Sequence, residues 1–290
     1  MIDIIIVNYN STKFLLNCIR SLKKSSILNE IPYDLYIEDN ASKDNPEIIK
    51  KVFPESFVSY NNKNLGFGKA VNKSANIGVS KFIMILNPDT IVSPSFLKDV
   101  LDFMIENPDI GAMGPKILDI DGKLQNSARS FPNLLTSFFG RASYLSKIFP
   151  NNKITKKNLM SLLTLDEYSP MNVDWVSGAC MILRRDVFEQ TGGFDEGFFM
   201  YWEDADLCKR LKKMGWRVVY YPKPIVYHYV GMSSKKDKIK ANYEFHKSVY
   251  YYFNKYSPSW LFMLNPIVLF FLFIRGLFVL SLKFLNANEK

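Results

Sequence analysis

Ile2-Asp3-Ile4-Ile5-Ile6-Val7-Asn8-Tyr9-Asn10 decides how the rest of the chain is read. A short β-branched run that stops abruptly in polar residues predicts a strand over 2–7, buried on both faces of a parallel sheet. Ser11 or Thr12 can cap a helix behind it, running to about Lys23, with Phe14, Leu15, Cys18, Ile19 and Leu22 on one face. The alternation then repeats. Strands are predicted at 33–38, 57–60 and 82–86, a helix at 64–79 that opens on Gly66 and Gly68, and another at 96–105. Strands alternating with helices predict an α/β fold, a mostly parallel sheet flanked by helices. Later in the chain, 179–183 reads as a buried strand, and 218–221 and 225–227 as two short strands around Pro222 and Pro224. Residues 120–172, with Pro132, Pro150, Pro170 and the Asn151-Asn152-Lys153 turn, read as a loop-rich insertion or lid.

Polar clusters follow three of these strands: Asn8–Asn10, Asp39-Asn40 and Asn87-Pro88-Asp89. Ligands of open α/β sheets bind outside the carboxyl ends of the strands, so three such clusters point to one edge. Each alone is also an ordinary Asx turn. The densest chemistry is Gly192-Gly193-Phe194-Asp195-Glu196-Gly197-Phe198-Phe199-Met200-Tyr201-Trp202-Glu203-Asp204-Ala205-Asp206. Its acids are threaded among large aromatics, and partial desolvation turns a carboxylate into a useful base. Asp204, Leu207, Cys208 and Leu211 share a helical face, which puts Glu203 and Asp204 at a helix start. Acids there also serve as cap and dipole partners, and both readings stay open.

The chain has 290 residues and a net charge of +9. The charge is uneven: residues 1–208 carry 22 Lys/Arg against 25 Asp/Glu, and the remainder carries 15 against 3. A polyanionic partner of the C-terminal part is expected, nucleic acid or an anionic membrane surface. Residues 260–282 are largely apolar but are interrupted by Pro266 and Arg275. An interfacial helix fits this run at least as well as a span, and it favours lipid over nucleic acid. A core helix pair or a homo-oligomer seam is the alternative. Cys18, Cys180 and Cys208 lack metal-site spacing and read as buried free thiols. The opening residues have no basic n-region, so no signal peptide is expected and the N-terminus is expected in the cytoplasm.

The motifs taken together resemble glycosyltransferase family 2, in its rhamnosyltransferase-like subgroup. The matching pieces are Ile6-Val7-Asn8-Tyr9-Asn10, Glu38-Asp39-Asn40-Ala41-Ser42-Lys43-Asp44, Asn64-Leu65-Gly66-Phe67-Gly68-Lys69-Ala70-Val71-Asn72, Leu86-Asn87-Pro88-Asp89-Thr90, Trp175-Val176-Ser177-Gly178-Ala179-Cys180 and the acidic segment. They span residues 1–235, and their order and spacing carry the specificity. Residues 236–290 read from their composition as a basic and hydrophobic helical membrane-associating segment, while the resemblance implies a GT-A fold over 1–235. It implies an inverting transfer of sugar, with L-rhamnose from dTDP-rhamnose as the leading donor, to a lipid-linked or growing cell-surface polysaccharide at the cytoplasmic face of the membrane. UDP-hexose or galactofuranose donors are the alternative within the family. A non-catalytic nucleotide-sugar or membrane-surface binder is the alternative outside it.

The resemblance also assigns roles. Asp204 matches the catalytic base, and Glu203 orients the acceptor or the base. Asp39 matches the acid that accepts from a pyrimidine N3–H, with Val7 and Tyr9 flanking the base and Asn10 nearby. Gly66 and Gly68 let backbone approach the donor, and Asn72 lies one turn on. Asp89 and His228 match ligands of a divalent metal, Mg or Mn. Asn87 stands where the family's metal motif has Asp, and contacts to ribose or phosphate are equally open to it. Trp175 resembles an acceptor platform, with a core tryptophan as the competing reading.

Overall fold

The computed structural model describes residues 1–131, 168–229, 238–257, 274 and 276. The insertion reading of 132–167, the loop after Tyr229, and the apolar run beyond Ser257 except Ile274 and Gly276 lie outside the described residues. Eleven described strands and seven helices follow in order: β1 Ile2–Asn8, α1 Thr12–Asn29, β2 Tyr33–Asp39, α2 Ile48–Val52, β3 Phe57–Tyr60, α3 Phe67–Ala75, β4 Phe82–Leu86, β5 Thr90–Val92, α4 Phe96–Glu106, β6 Ile110–Leu118, β7 Ala128–Arg129, β8 Met171–Asn172, β9 Trp175–Val176, β10 Cys180–Arg184, α5 Arg185–Gln190, α6 Glu203–Lys213, β11 Arg217–His228 and α7 Lys238–Tyr256.

The main sheet runs β3-β2-β1-β4-β10-β6-β11-β5, with β8 also on β11, while β7 and β9 form a separate ribbon. β3, β2, β1 and β4 are mutually parallel, as the alternating pattern requires. β10 enters antiparallel between β4 and β6, and β6 and β11 are again parallel. Every residue of β1 is buried, since both faces are covered. One face packs Ile2, Ile4 and Ile6 against Leu15, Ile19 and Leu22 of α1. The other packs Ile5 and Val7 with Ala70 and Val71 of α3. The three cysteines are free and buried, as expected.

Several elements differ from their predicted form. α1 extends past Lys23 to Asn29, and Ser25 in this added turn is buried, its Oγ accepting the Leu97 N–H of α4 at 3.2 Å. Neither Ser11 nor Thr12 caps it by its side chain; Thr12 instead donates its N–H and hydroxyl to Asp44, both at 2.9 Å. α3 starts only at Phe67, since Gly66 has φ +88°, outside helical space. β6 has no counterpart among the strands expected from sequence, and it contains Gly111, Gly114 and Pro115, residues of low strand propensity. Gly114 is in fact demanded by packing: a Cβ there would meet the Val176 side chain at 2.6 Å. The two short strands around Pro222 and Pro224 are one strand, β11, with an irregularity between Tyr221 and Ile225 that absorbs both prolines.

The C-terminal helix α7 is no detached appendage. Ser248 Oγ donates to Met200 O at 2.8 Å, and Lys255 Nζ bridges Asp195 at 2.5 Å and Asp206 at 2.7 Å. Tyr256 donates to Asp206 at 2.7 Å. Trp202 lies against Phe245, Tyr252 and Phe253. The charge asymmetry is partly answered inside the molecule, where Arg210, Lys212, Arg217, Lys223 and Lys255 each pair with a carboxylate. Among the described residues no helix is long and apolar enough to cross a membrane.

Candidate active site

Parallel register brings the polar clusters to one sheet edge. Asn8 lies opposite Asp39 across β1 and β2, and Ile6 opposite Leu86 across β1 and β4. Asp39 is buried; its Oδ2 accepts from the Asn8 amide at 2.8 Å and its Oδ1 from the Ser42 N–H at 2.9 Å. Asn10, at φ +53°, donates its N–H to Ser42 Oγ and accepts the Lys43 N–H, both at 2.8 Å. The segments 8–12 and 39–44 are thus knitted into one rim. Of the two residues predicted to flank a base, Val7 is buried in the core and Tyr9 is exposed.

Gly66, Gly68 and Asn72 meet the protein's own acidic segment. A Cβ on Gly66 would sit 2.4 Å from the Phe199 carbonyl oxygen, and Phe67 N–H donates to that same oxygen at 2.8 Å. A Cβ on Gly68 would meet Phe194 at 2.8 Å. Asn72 clips the backbone of Phe194, donating to its O at 2.9 Å and accepting its N–H at 2.8 Å. The space a side chain at either glycine would need is therefore taken by the segment that carries the candidate base.

That segment enters α6 through Tyr201 and Trp202, both at φ +71°, a conformation ordinary side chains adopt only when packing holds them. Here the packing is α7: Tyr201 on Phe245, and Trp202 on Phe245, Tyr252 and Phe253. The aromatics threaded through the acids serve chiefly to seat this helix. Asp204 Oδ2 accepts the Gly178 N–H at 3.0 Å and Oδ1 the Ala205 N–H at 2.8 Å. Burial raises its carboxyl above the usual range, opposed by those two N–H groups and by the Arg129 charge. Glu203 is buried with Oε2 unpartnered, and burial first, then the Asp204 charge, push it well above its ordinary value. Asp206 is fully buried and engaged by Arg210, Lys255 and Tyr256, so it anchors α7 and is not spare for chemistry.

Asp204 opens on a cavity of ≈ 160 Å³ shared with Trp175, Ser177, Ile117, Gln125, Asn126, Ser127, Arg129 and His228. His228 ends β11, which pairs with β5 directly after the Asn87–Asp89 turn. Its Nε2 lies 3.2 Å from Asp89 Oδ1 and 3.4 Å from Asn87 Nδ2, and its Nδ1 3.0 Å from Gln125 Oε1. An imidazole nitrogen and a buried carboxylate side by side suit a hard or borderline divalent ion. Among the described residues no group of three His, Cys, Asp or Glu forms a full shell, so such an ion would need oxygens from a bound diphosphate. Trp175 is both wall and core: it lines the cavity, packs on the buried cluster and donates Nε1–H to Ser130 O at 3.0 Å. The Arg129 guanidinium lies over its ring at 5.4 Å.

Sequence reasoning missed Gln125, Asn126, Ser127 and Arg129. They sit in a stretch read as irregular, without periodicity or a familiar spacing. The β7–β9 pairing of Ala128 with Val176 and the hydrogen bonds of Gln125 to Ile117 and of Ser177 to Ser127 bring them to the site.

Comparison with known proteins gives the family and the fold. The family model described as glycosyltransferase like family 2 matches residues 2–243. The N-acetylglucosaminyl-diphospho-decaprenol L-rhamnosyltransferase of Mycobacterium tuberculosis is 34% identical over 253 residues, covering 83% of this chain and 81% of that one. The rhamnosyltransferase WbbL of Escherichia coli is 32% identical over 161 residues, covering 55% and 56%. The mannosyltransferase PcManGT of Pyrobaculum calidifontis, solved with GDP-Man and Mn2+, superposes with a TM-score of 0.58 at 14% identity, covering 97% of this chain and 72% of that one.

Proposed function

The chain belongs to glycosyltransferase family 2, and on that footing we propose that it moves L-rhamnose, with inversion, from dTDP-rhamnose to a prenyl-diphosphate-linked sugar. The observation that carries the reading is the shared cavity: Asp204 and His228 face one small space, with Asp89 beside His228 and Trp175 in the wall. The name of the mycobacterial relative supports both the sugar and the acceptor class.

Transfer is a single displacement. The acceptor hydroxyl oxygen bonds to the anomeric carbon as the bond from that carbon to the diphosphate oxygen breaks, and the hydroxyl proton passes to Asp204. Burial, by raising the Asp204 carboxyl, makes it a better proton acceptor than an exposed aspartate. The N–H groups of Gly178 and Ala205 hold its oxygens in place. Trp175 and Arg129 offer a flat face and a cation to the acceptor. Asp39 and Tyr9 are assigned to the nucleobase, and Asn87 to the ribose or phosphates. Asp89 and His228 would hold Mg²⁺ or Mn²⁺, which when bound supplies Lewis-acid neutralisation of the leaving diphosphate. Since α7 is seated on the catalytic segment, membrane association is assigned to the residues after Ser257, where the apolar run lies.

The test is a panel of nucleotide sugars offered with a prenyl-diphosphate-linked N-acetylglucosamine, with Mg²⁺, with Mn²⁺ and with EDTA. Transfer from dTDP-rhamnose that is abolished by EDTA is expected. Preference for a UDP-hexose or for galactofuranose refutes the donor, and full activity in EDTA refutes the metal.

A further inference from the structure

We propose that Gln125 is a positioning residue for the cation site: it fixes which ring nitrogen of His228 carries the hydrogen and so turns the Nε2 lone pair toward Asp89. The inference rests on the reading of Asp89 and His228 as cation ligands. It starts from where Gln125 is held. Its backbone N–H donates to Ile117 O of β6 at 2.8 Å, and the residue is buried. Its side-chain Nε2 donates to His228 O at 2.9 Å and to Leu118 O at 3.4 Å.

Those two carbonyls settle the amide orientation, because a flipped amide would set Oε1 against two acceptors. Oε1 therefore faces His228 Nδ1, at 3.0 Å. An amide oxygen only accepts, so Nδ1 carries the hydrogen, and a neutral imidazole then has its lone pair on Nε2. That lone pair lies 3.2 Å from Asp89 Oδ1 and 3.4 Å from the Asn87 amide nitrogen. Two acceptors face each other, an arrangement that a cation between or beside them relieves. Histidines that bind metals are commonly held this way, with the distal N–H given to an acceptor that sets the tautomer. Here the acceptor is a neutral amide. It orients the ring without adding negative charge to a cavity that already holds Asp204, with Asp89 against the same histidine.

The chain has two histidines, so ¹⁵N-histidine labelling of the full-length protein yields two imidazole signatures, with His246 as the internal reference. Long-range ¹H–¹⁵N spectra are expected to show hydrogen on His228 Nδ1. Mn²⁺ added with dTDP should broaden the His228 signals selectively. Gln125→Leu should release the Nε2–H form and weaken Mn²⁺ binding by about 10–100-fold, the usual effect of losing such a partner. Gln125→Glu keeps an oxygen for Nδ1 but loses the donor to the His228 and Leu118 carbonyls, so it should retain the Nδ1–H form better than Gln125→Leu does while melting below the unaltered protein. Hydrogen on Nε2 alone in the unaltered protein overturns the proposal, and that measurement needs no variant to fold. A Gln125→Leu protein with unchanged tautomer and Mn²⁺ affinity also overturns it, while leaving the cation reading standing. An Nδ1–H ring that Mn²⁺ with dTDP does not touch refutes the cation reading and the role given to Gln125 with it.

Discussion

Replacing Asp204 with asparagine separates its chemical role from its structural one. Asparagine fills the same space and leaves one oxygen to accept a hydrogen bond. The carboxylate now accepts two, from Gly178 at 3.0 Å and Ala205 at 2.8 Å, so one N–H loses its partner at a cost of about 1 kcal/mol. Opposing this, the substitution removes a charge next to Glu203, which is buried with one oxygen unpartnered. Burial raises both carboxyls above their ordinary values of 3.8 and 4.5, so the folded chain holds these protons more tightly than the unfolded chain. Stability from this pair is therefore greatest at low pH and is lost as pH rises through the raised values. Asp204→Asn should thus gain in melting temperature relative to the unaltered protein between acidic and neutral pH. Its turnover should fall by about 10²–10⁴-fold, or roughly 3–5 kcal/mol of barrier, since asparagine accepts no proton. Calorimetric donor binding should hold, because Asp204 lies in the cavity and not on the 8–12 and 39–44 rim. Release of dTDP coupled to product formation, with melting curves across pH, is the assay. Turnover near that of the unaltered protein refutes the base, and a relative melting temperature that falls with rising pH refutes the electrostatic account.

Lys255→Met should cost about 1–3 kcal/mol and lower turnover with little change in donor affinity. The cost stays below that of stripping a buried ion pair because Arg210 and Tyr256 remain on Asp206. Unchanged melting and turnover would show that α7 does not brace the Tyr201–Trp202 turn. Gly66→Ala should cost about 2–4 kcal/mol, from a backbone conformation open essentially to glycine and from loss of the Phe67–Phe199 hydrogen bond. An alanine variant that melts with the unaltered protein would contradict the contact.

Much of the fold and part of the site could be read from the chain before its structure. β1, β2, β3 and β4 appeared within a residue or so of their observed bounds; β1 and β4 are buried throughout, and such strands are near-continuous apolar runs. Asp39, Asp89 and Asp204 were legible because each sits where a regular element meets a turn, and local sequence governs such junctions. β6 and the single β11 were not legible. Their glycines and prolines are strand breakers by propensity, and only Val176 beside Gly114 and the irregularity at Tyr221 make them strand formers. Likewise nothing local links Gln125 to His228 or Lys255 to Asp206: these pairs lie 103 and 49 positions apart in the chain. The sequence by itself determined the α/β alternation, the polar edge and the identity of the acids. Tertiary structure alone brought Gly66 and Gly68 against the acidic segment, seated α7 on the Tyr201–Trp202 turn and set the Gln125 amide against the His228 ring. A hydrogen bond between distant residues depends on how the intervening elements pack, and no window of sequence contains that information.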